Sequence, residues 1–412
     1  MRLKKYTFGA ILTVAALLLC SCTKALDNGL ERSTQEHLTL PDAGDETQAP
    51  PQTEANAQTP DSFDTAAGDD ISGFDETTLG RAREILQAMS LEEKVGQMFL
   101  GRCPETDAAS QAGSWHLGGY VLFGRDFENK TSDQVKADIE SYQTASTVPM
   151  FIAVDEEGGT VNRVSSNSQL RAFPFWSPQD LYNEGGMELI ITDTQEKAGL
   201  LKALGINMNL APVCDVSTDP NDYIYPRAFG QPADATAEYV TNVVRTMNEN
   251  KIGSALKHFP GYGNNTDTHT GISQDDRPYE TFAQSDFLPF VAGIKENATA
   301  VLVSHNIVTS MDAEAPASLS PRVHEILRND MGYNGIIMTD DLAMDAIQQY
   351  TDNNSAAVTA VLAGNDMLCC TDFATQIPAV VEAVNNGTIS EARINQSVLR
   401  ILCSKLSLGI LQ

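Results

Sequence analysis

Between Val95 and Cys369 the chain repeats one pattern: a short apolar run, then a stretch of helical periodicity. The runs are Val95–Leu100, Tyr120–Phe123, Met150–Val154, Ile206–Leu210, Ser254–Leu256, Ala300–Val303, Gly335–Met338 and Asp366–Cys369. They are too short for helices and do not alternate apolar with polar, which is the pattern of parallel strands buried on both faces. Helical spacing fills most gaps, as in Ala235–Asn248 and Val323–Met331. It also precedes the first run, where Ile85, Leu86 and Met89 share one face of Arg81–Met89. Eight strands alternating with helices predict an α/β fold, a (β/α)8 TIM-type barrel. A doubly wound open sheet uses the same alternation and is the runner-up.

The polar residues that succeed the runs favour the barrel. Asp155, Asp215, Lys257-His258, His305 and Asp340 each stand at or shortly after a run. In a barrel all C-terminal strand ends open on one mouth, so residues far apart in sequence would meet there.

Two upstream segments lie outside this pattern. In residues 1–22, Arg2, Lys4 and Lys5 precede an apolar run, Tyr6–Leu19. That run is shorter than the ~20 apolar residues of a membrane-spanning helix and reads as a secretory signal. Leu19-Cys20-Ser21-Cys22 resembles the lipobox of bacterial lipoproteins. The resemblance implies lipid modification at Cys22 and a chain anchored at the extracellular face of the bacterial cell membrane. Residues 23–78, rich in Thr, Ala, Gln, Pro, Asp and Glu, predict a disordered acidic tether. The catalytic barrel is then expected over residues 79–412.

The formal net charge of −28 argues against nucleic acid as a partner, because phosphate binding needs clustered Lys and Arg. The seven Cys form no Cys-x-x-Cys, which speaks against zinc and thioredoxin-type chemistry. Cys369-Cys370 lies in an apolar run and reads as two small buried side chains.

Three segments carry chemistry. Lys257-His258-Phe259-Pro260-Gly261-Tyr262-Gly263 leaves a strand, turns through Pro and Gly, and runs on to Asp267-Thr268-His269. On such a loop Asp267 can fold back onto His269, fix its tautomer and favour the imidazolium. That ring can protonate a leaving oxygen and later take a proton from water. The spacing fits a solvated loop histidine equally well. In Gly335–Met344 an apolar strand delivers Asp340 with Asp341 beside it. The pair reads as a nucleophile held by the strand, as metal ligands, or as carboxylates at a helix start. In Phe151–Arg163, Asp155 at a strand end can accept two hydrogen bonds from vicinal sugar hydroxyls, and Gly158-Gly159 lets the backbone turn sharply. Arg163 can pair with a carboxylate or donate to substrate oxygens. A salt-bridged strand-to-helix loop is the plainer reading.

Together with Met-Ser-Leu-Glu-Glu-Lys-Val-Gly-Gln-Met at 89–98, Asn-Leu-Ala-Pro-Val at 209–213 and Arg-Ala-Phe-Gly at 227–230, these segments resemble family 3 glycoside hydrolases. The similarity runs in the family's order from about Leu79 to the C-terminus, and the closest branch is the bacterial β-N-acetylglucosaminidases. The resemblance implies Asp340 as a nucleophile forming a covalent glycosyl-enzyme, His269 as acid/base and Asp267 as its partner. It implies Asp155, Arg163, Arg227, Lys257 and His258 as residues holding the terminal sugar. It implies hydrolysis of terminal β-linked GlcNAc from peptidoglycan fragments or chitooligosaccharides, with no metal or organic cofactor. The Asp-x-His pair selects the branch, since the β-glucosidases of the family typically carry a Glu acid/base in a later domain. The chain departs from the branch at Tyr262, where His is usual, at Asn264-Asn265 in place of a common Asp-Thr, at Glu156 where Gln is frequent, and in a loop one residue shorter before Asp267.

Three rivals share some of these features. A sugar-binding lipoprotein would need neither Asp340 nor the Asp267–His269 pair. A metal-dependent hydrolase would use His258, His269 and Asp340. A phosphorylase would keep the same residues and use phosphate in place of water.

Overall fold

The computed structural model describes residues 71–265, 273–344, 347, 350–351 and 356–412. The expected signal with Cys22, the expected tether up to residue 70, and both Asp267 and His269 lie outside these residues.

The strands are β1 (Phe99–Arg102), β2 (Gly119–Leu122), β3 (Phe151–Val154), β4 (Met208–Asn209), β5 (Gly253–Phe259), β6 (Gln274–Asp275), β7 (Ala300–Val303), β8 (Ile307–Val308), β9 (Ile336–Thr339) and β10 (Leu368–Cys370). Eight of them form one parallel sheet in the order β10-β1-β2-β3-β4-β5-β7-β9. A parallel bridge between Met338 and Met367 joins the two ends of that order. Thr339 N donates to Met367 O at 3.1 Å and Met367 N to Ile337 O at 3.1 Å. The sheet closes on itself, so the fold is the TIM-type barrel and not the open sheet. β6 and β8 pair with each other outside the barrel, beside the loop that follows β5.

Every expected run carries a strand, but the first is misplaced. Val95–Gln97 closes the helix Leu91–Gln97, and only Phe99 and Leu100 of that run lie in β1. A capping box starts this helix: Ser90 accepts from Glu93 N while Glu93 accepts from Ser90 N. Two satisfied amides at the start of an apolar stretch decide for helix over strand.

The helix Ala233–Glu249 buries Tyr239, Val240, Val243, Val244 and Met247, a single stripe against the sheet. The helix expected at Val323–Met331 is instead a short α segment, Pro321–Glu325, running into a π-helical turn, Ile326–Asp330. Before the barrel, Asp75 caps Glu76–Gln87 by accepting from Thr77 N and Thr78 N, and that helix buries Leu79, Ala82 and Leu86. Ile71 is buried as well, so the folded body reaches upstream of residue 79. β2, β3, β7 and β9 are buried along their whole length. Each enclosed Val, Leu or Ile contributes about 1.5–3 kcal/mol, which makes this core the main stabilising mass. Cys103, Cys214, Cys369, Cys370 and Cys403 are all free.

Candidate active site

The C-terminal ends of β3, β4 and β5 carry a continuous chain of opposite charges. Lys257 Nζ lies 2.6 Å from Asp155 Oδ1 and 2.6 Å from Glu157 Oε1. Arg227 grips Glu157 with two bonds, Nε at 3.0 Å and Nη2 at 2.8 Å. The same Nη2 reaches His258 Nε2 at 3.2 Å, and His258 Nδ1 stands 2.7 Å from Asp215 Oδ2. Asp215 is fixed in turn by Tyr262 N at 2.8 Å and His258 N at 3.2 Å.

This geometry settles the histidine tautomer. A guanidinium only donates, so His258 Nε2 accepts from Arg227 and the ring proton sits on Nδ1, facing Asp215. A ring committed in this way has no proton for a leaving oxygen.

The cradle has two levels. The side chains of Lys257 and Glu157 are 3% exposed each, whereas Asp155 is 18% and Arg227 19% exposed. The lower pair is a foundation and the upper two reach the mouth. Burial alone would raise the Glu157 carboxyl, yet Lys257 and Arg227 outweigh it and hold the group well below the ordinary carboxylate range. Burial alone would lower the Lys257 ammonium, but Asp155 and Glu157 hold it above its usual value. Both groups are charged at neutral pH, as a paired interior site requires.

The loop after β3 is built around Glu156. Its carboxylate accepts from Arg163 N at 2.8 Å, Val164 N at 2.7 Å and Ser165 N at 3.1 Å, and also from the Ser165 hydroxyl. Asn209 on β4 brackets the Glu156 peptide with two 3.0 Å bonds. Gly158 turns the chain at φ +100°, where a Cβ would fall 2.2 Å from Trp176 O, so only glycine fits. The loop places the Arg163 guanidinium 5.9 Å from the Phe123 ring centre, with Arg102 at 4.5 Å from the same ring.

Across the mouth, Asp340 follows β9, and its N–H donates to Val303 O at 3.0 Å. Asp341 has a different task from its neighbour. It accepts from Ala343 N at 2.9 Å and Thr371 Oγ1 at 2.7 Å, tying this turn to the end of β10. His305 supports the same turn, with Nε2 3.0 Å from Asp341 O and Nδ1 2.7 Å from Ser318 Oγ. In the closed order of eight strands, β3 and β9 stand four positions apart, so Asp155 and Asp340, which follow them, open on one mouth from opposite sides. Burial pushes the thiol of Cys369 on β10 well up.

Among the residues expected from sequence, Asp155, Arg227, Lys257 and His258 meet in one bonded cluster, and Arg163 stands on the adjoining loop. Asp267 and His269 lie outside the described residues. Two members of the cluster are not among the site residues that the sequence predicts. Asp215 stands out in the sequence only by its place after a run. Glu157 is hidden inside Asp-Glu-Glu-Gly-Gly, although two cations, Lys257 and Arg227, exceed what Asp155 alone can neutralise.

A closed barrel whose mouth presents fixed donors and acceptors above a buried ion-pair floor, with a strand-end carboxylate opposite, has the layout in which barrel enzymes build their active sites. The chain belongs to glycosyl hydrolase family 3: the model of that family's N terminal domain matches residues 90–403. It is therefore a glycosidase. A beta-hexosaminidase of Xanthomonas campestris pv. campestris (strain B100) is 32% identical over 249 residues, covering 58% of this chain and 74% of that protein. A beta-hexosaminidase of Methylococcus capsulatus is 32% identical over 278 residues, or 66% of this chain and 81% of that one. Among solved structures, a family 3 β-N-acetylglucosaminidase of Paenibacillus sp. str. FPU-7 superposes with a TM-score of 0.73 at 30% identity. That match covers 78% of this chain, which spans only 63% of the Paenibacillus protein.

Proposed function

We propose that the chain is a retaining exo-β-N-acetylglucosaminidase that hydrolyses terminal β-linked GlcNAc from peptidoglycan fragments or chitooligosaccharides. The observation that carries this reading is the mouth onto which Asp155, Arg227 and Asp340 open, with the Lys257–Glu157 pair beneath it. Asp155 and Arg227 offer an acceptor and donors to the hydroxyls of a terminal sugar. Asp340 attacks the anomeric carbon, forming a carbon–oxygen bond as the glycosidic bond breaks. His269, oriented by Asp267, gives its proton to the departing oxygen. It then takes a proton from water, whose oxygen displaces Asp340 and releases the sugar with its configuration retained. The tautomer of His258 supports this division of labour, because the histidine already in the cradle is no acid. The named hexosaminidase relatives support the choice of sugar.

A chromogenic β-GlcNAc substrate tests the reading. Hydrolysis by the wild type, β-configured GlcNAc as first product with or without phosphate, and loss in Asp340→Asn and His269→Ala are the expected results. GlcNAc-1-phosphate as the main product would make the enzyme a phosphorylase. Full activity in Asp340→Asn would remove the nucleophile assignment.

The same proposal includes a lipid anchor at Cys22 that holds the barrel at the outer face of the cell membrane by the acidic tether. Its support is the apolar run ending in Leu19-Cys20-Ser21-Cys22. Cys22→Ala should move the activity from the membrane fraction to the medium; retention on the membrane would refute the anchor.

A further inference from the structure

The loop after β5 leaves the barrel and returns to it, and one side chain fastens both legs. The outgoing leg is Pro260–Asn265 and the returning leg is Ser273–Arg277, with Asp267 and His269 between them in the sequence. On the outgoing leg, Arg277 Nη2 donates to Gly261 O at 3.1 Å. On the returning leg, Nε and Nη2 donate to the Asp275 carboxylate at 3.0 and 2.8 Å. Nη1 donates to Asp286 Oδ1 at 2.9 Å, in the π-helical turn Phe282–Asp286. Every guanidinium nitrogen is thus engaged, and both carboxylates are buried.

The outgoing leg is packed down on this clamp. A Cβ on Gly263, at φ +52°, would fall 2.4 Å from Arg277 Cζ, and one on Gly261, at φ +124°, would fall 2.5 Å from Asp286 Oδ1. Asn265 Nδ2 adds a second cross-link by donating to Asp275 Oδ2 at 2.6 Å. The returning leg is held as well: Gln274 and Asp275 pair with β8, and Ile307 N donates to Ser273 O at 2.9 Å. Asn265 stands just before Asp267 and Ser273 soon after His269, so the stretch that carries this pair begins and ends at held residues. A planar fork of donors can span three acceptors at fixed angles, which a single ammonium cannot do.

We infer that Arg277 is a positioning residue for proton transfer: by tying the two legs at one point, it sets where a histidine carried between them reaches the glycosidic oxygen. The inference rests on the hexosaminidase reading above, with His269 as acid/base. Arg277 is assigned no proton and no contact with the sugar.

The test compares kcat/KM for two aryl β-glycosides of GlcNAc. A dinitrophenolate departs without a proton, whereas a methoxyphenolate needs one from the acid. His269→Ala is the reference: its kcat/KM should fall much further on the methoxyphenyl than on the dinitrophenyl substrate. Arg277→Lys keeps the charge but not the fork, and should show the same split, with the dinitrophenyl-to-methoxyphenyl ratio raised about tenfold or more. Asn265→Ala removes one cross-link only and should raise the ratio about threefold. An unchanged ratio in Arg277→Lys overturns the inference. So does an equal loss on both substrates, which would show Arg277 acting on the cradle through Tyr262 and Asp215, or on stability alone. If Arg277→Lys does not fold, the ratio in Asn265→Ala decides by the same outcomes. If the wild type cleaves neither substrate, the hexosaminidase reading itself falls. If it cleaves both and His269→Ala shows no split, the acid assignment falls and takes this inference with it. If His269→Ala shows the split and the loop variants do not, only the positioning role is lost.

Discussion

The two ends of the barrel use the same ingredients for opposite purposes. At the base, Asp366 is fully buried and surrounded by three arginines. Arg328 contacts one carboxylate oxygen, and Arg400 Nη1 lies 3.0 Å from the other. Ser397 Oγ at 2.8 Å and Ile337 N at 3.0 Å complete the set. Burial would raise this carboxyl, but Arg328, Arg400 and Arg393 outweigh it and bring it to about 2. At the mouth, Glu157 is held just as firmly by Lys257 and Arg227, yet Asp155 and Arg227 keep part of their surface open. The base encloses its carboxylate completely in joining the strands to the last helix, Glu391–Leu408. The mouth leaves part of its polar surface for a ligand. What separates a fastening from a site is the unfinished polar edge, since buried charge is common to both.

That contrast can be broken or sharpened by substitution. Asp340→Asn should lower kcat by about 10³-fold or more while leaving the thermal midpoint unmoved. A drop in stability of similar weight would erase the distinction between the two ends. Asp366→Asn should do the reverse, costing about 3–5 kcal/mol in denaturant unfolding because three guanidinium groups lose their counter-charge. The kcat of the protein that remains folded should be unaffected, and a collapse in kcat would mean that the base reaches into the chemistry.

Lys405, also at the base, gives a pH signature. It is fully enclosed, donates to Gln97 Oε1 at 2.7 Å and lies 5.3 Å from the Phe151 ring centre. Burial lowers its ammonium to about 7. The unfolded chain then binds the proton more tightly than the folded one between about pH 7 and the free-lysine value of about 10.4. Stability therefore rises with pH across this window, by up to about 1.4 kcal/mol per unit, and is flat below it. Lys405→Met should flatten that rise when stability is measured from pH 7 to 10; an unaltered slope would show that Lys405 is not its source. The smallest effect belongs to the loop after β3. Glu156→Gln removes the charge from a carboxylate that accepts four bonds, and should cost about 1–2 kcal/mol. It should also raise KM more than it lowers kcat, because Arg163 loses its backbone anchor. A pure kcat effect would place Glu156 nearer the reacting atoms than its bonds suggest.

Much of the barrel was legible because parallel strands buried on both faces leave a dense apolar trace. The misplaced first strand shows the limit of that trace. Val95–Leu100 reads as one apolar run, yet a capping box at Ser90 and Glu93 assigns its first half to a helix. At the candidate site, the strand-end rule pointed to Asp155 and Asp340, which follow β3 and β9, whereas Lys257 and His258 lie inside β5 near its C-terminal end. Glu157 was not legible because its importance comes from partners 70 and 100 residues away (Arg227 and Lys257), which only barrel closure brings to it. The role of Asp341 was equally hidden: sequence offers two adjacent acids, and only the bond to Thr371 on the neighbouring strand end tells them apart.

The alternation of sign from Asp155 through Lys257, Glu157 and Arg227 to Asp215 has a consequence for working conditions. Each cation in that row is already clasped by an acid, so an uncharged sugar arriving there displaces no counterions. Contacts of 2.6–2.8 Å are also far shorter than the ~10 Å over which 0.1 M salt screens. Michaelis constants for neutral saccharides should therefore hardly move as ionic strength climbs, even though the polypeptide as a whole is strongly acidic.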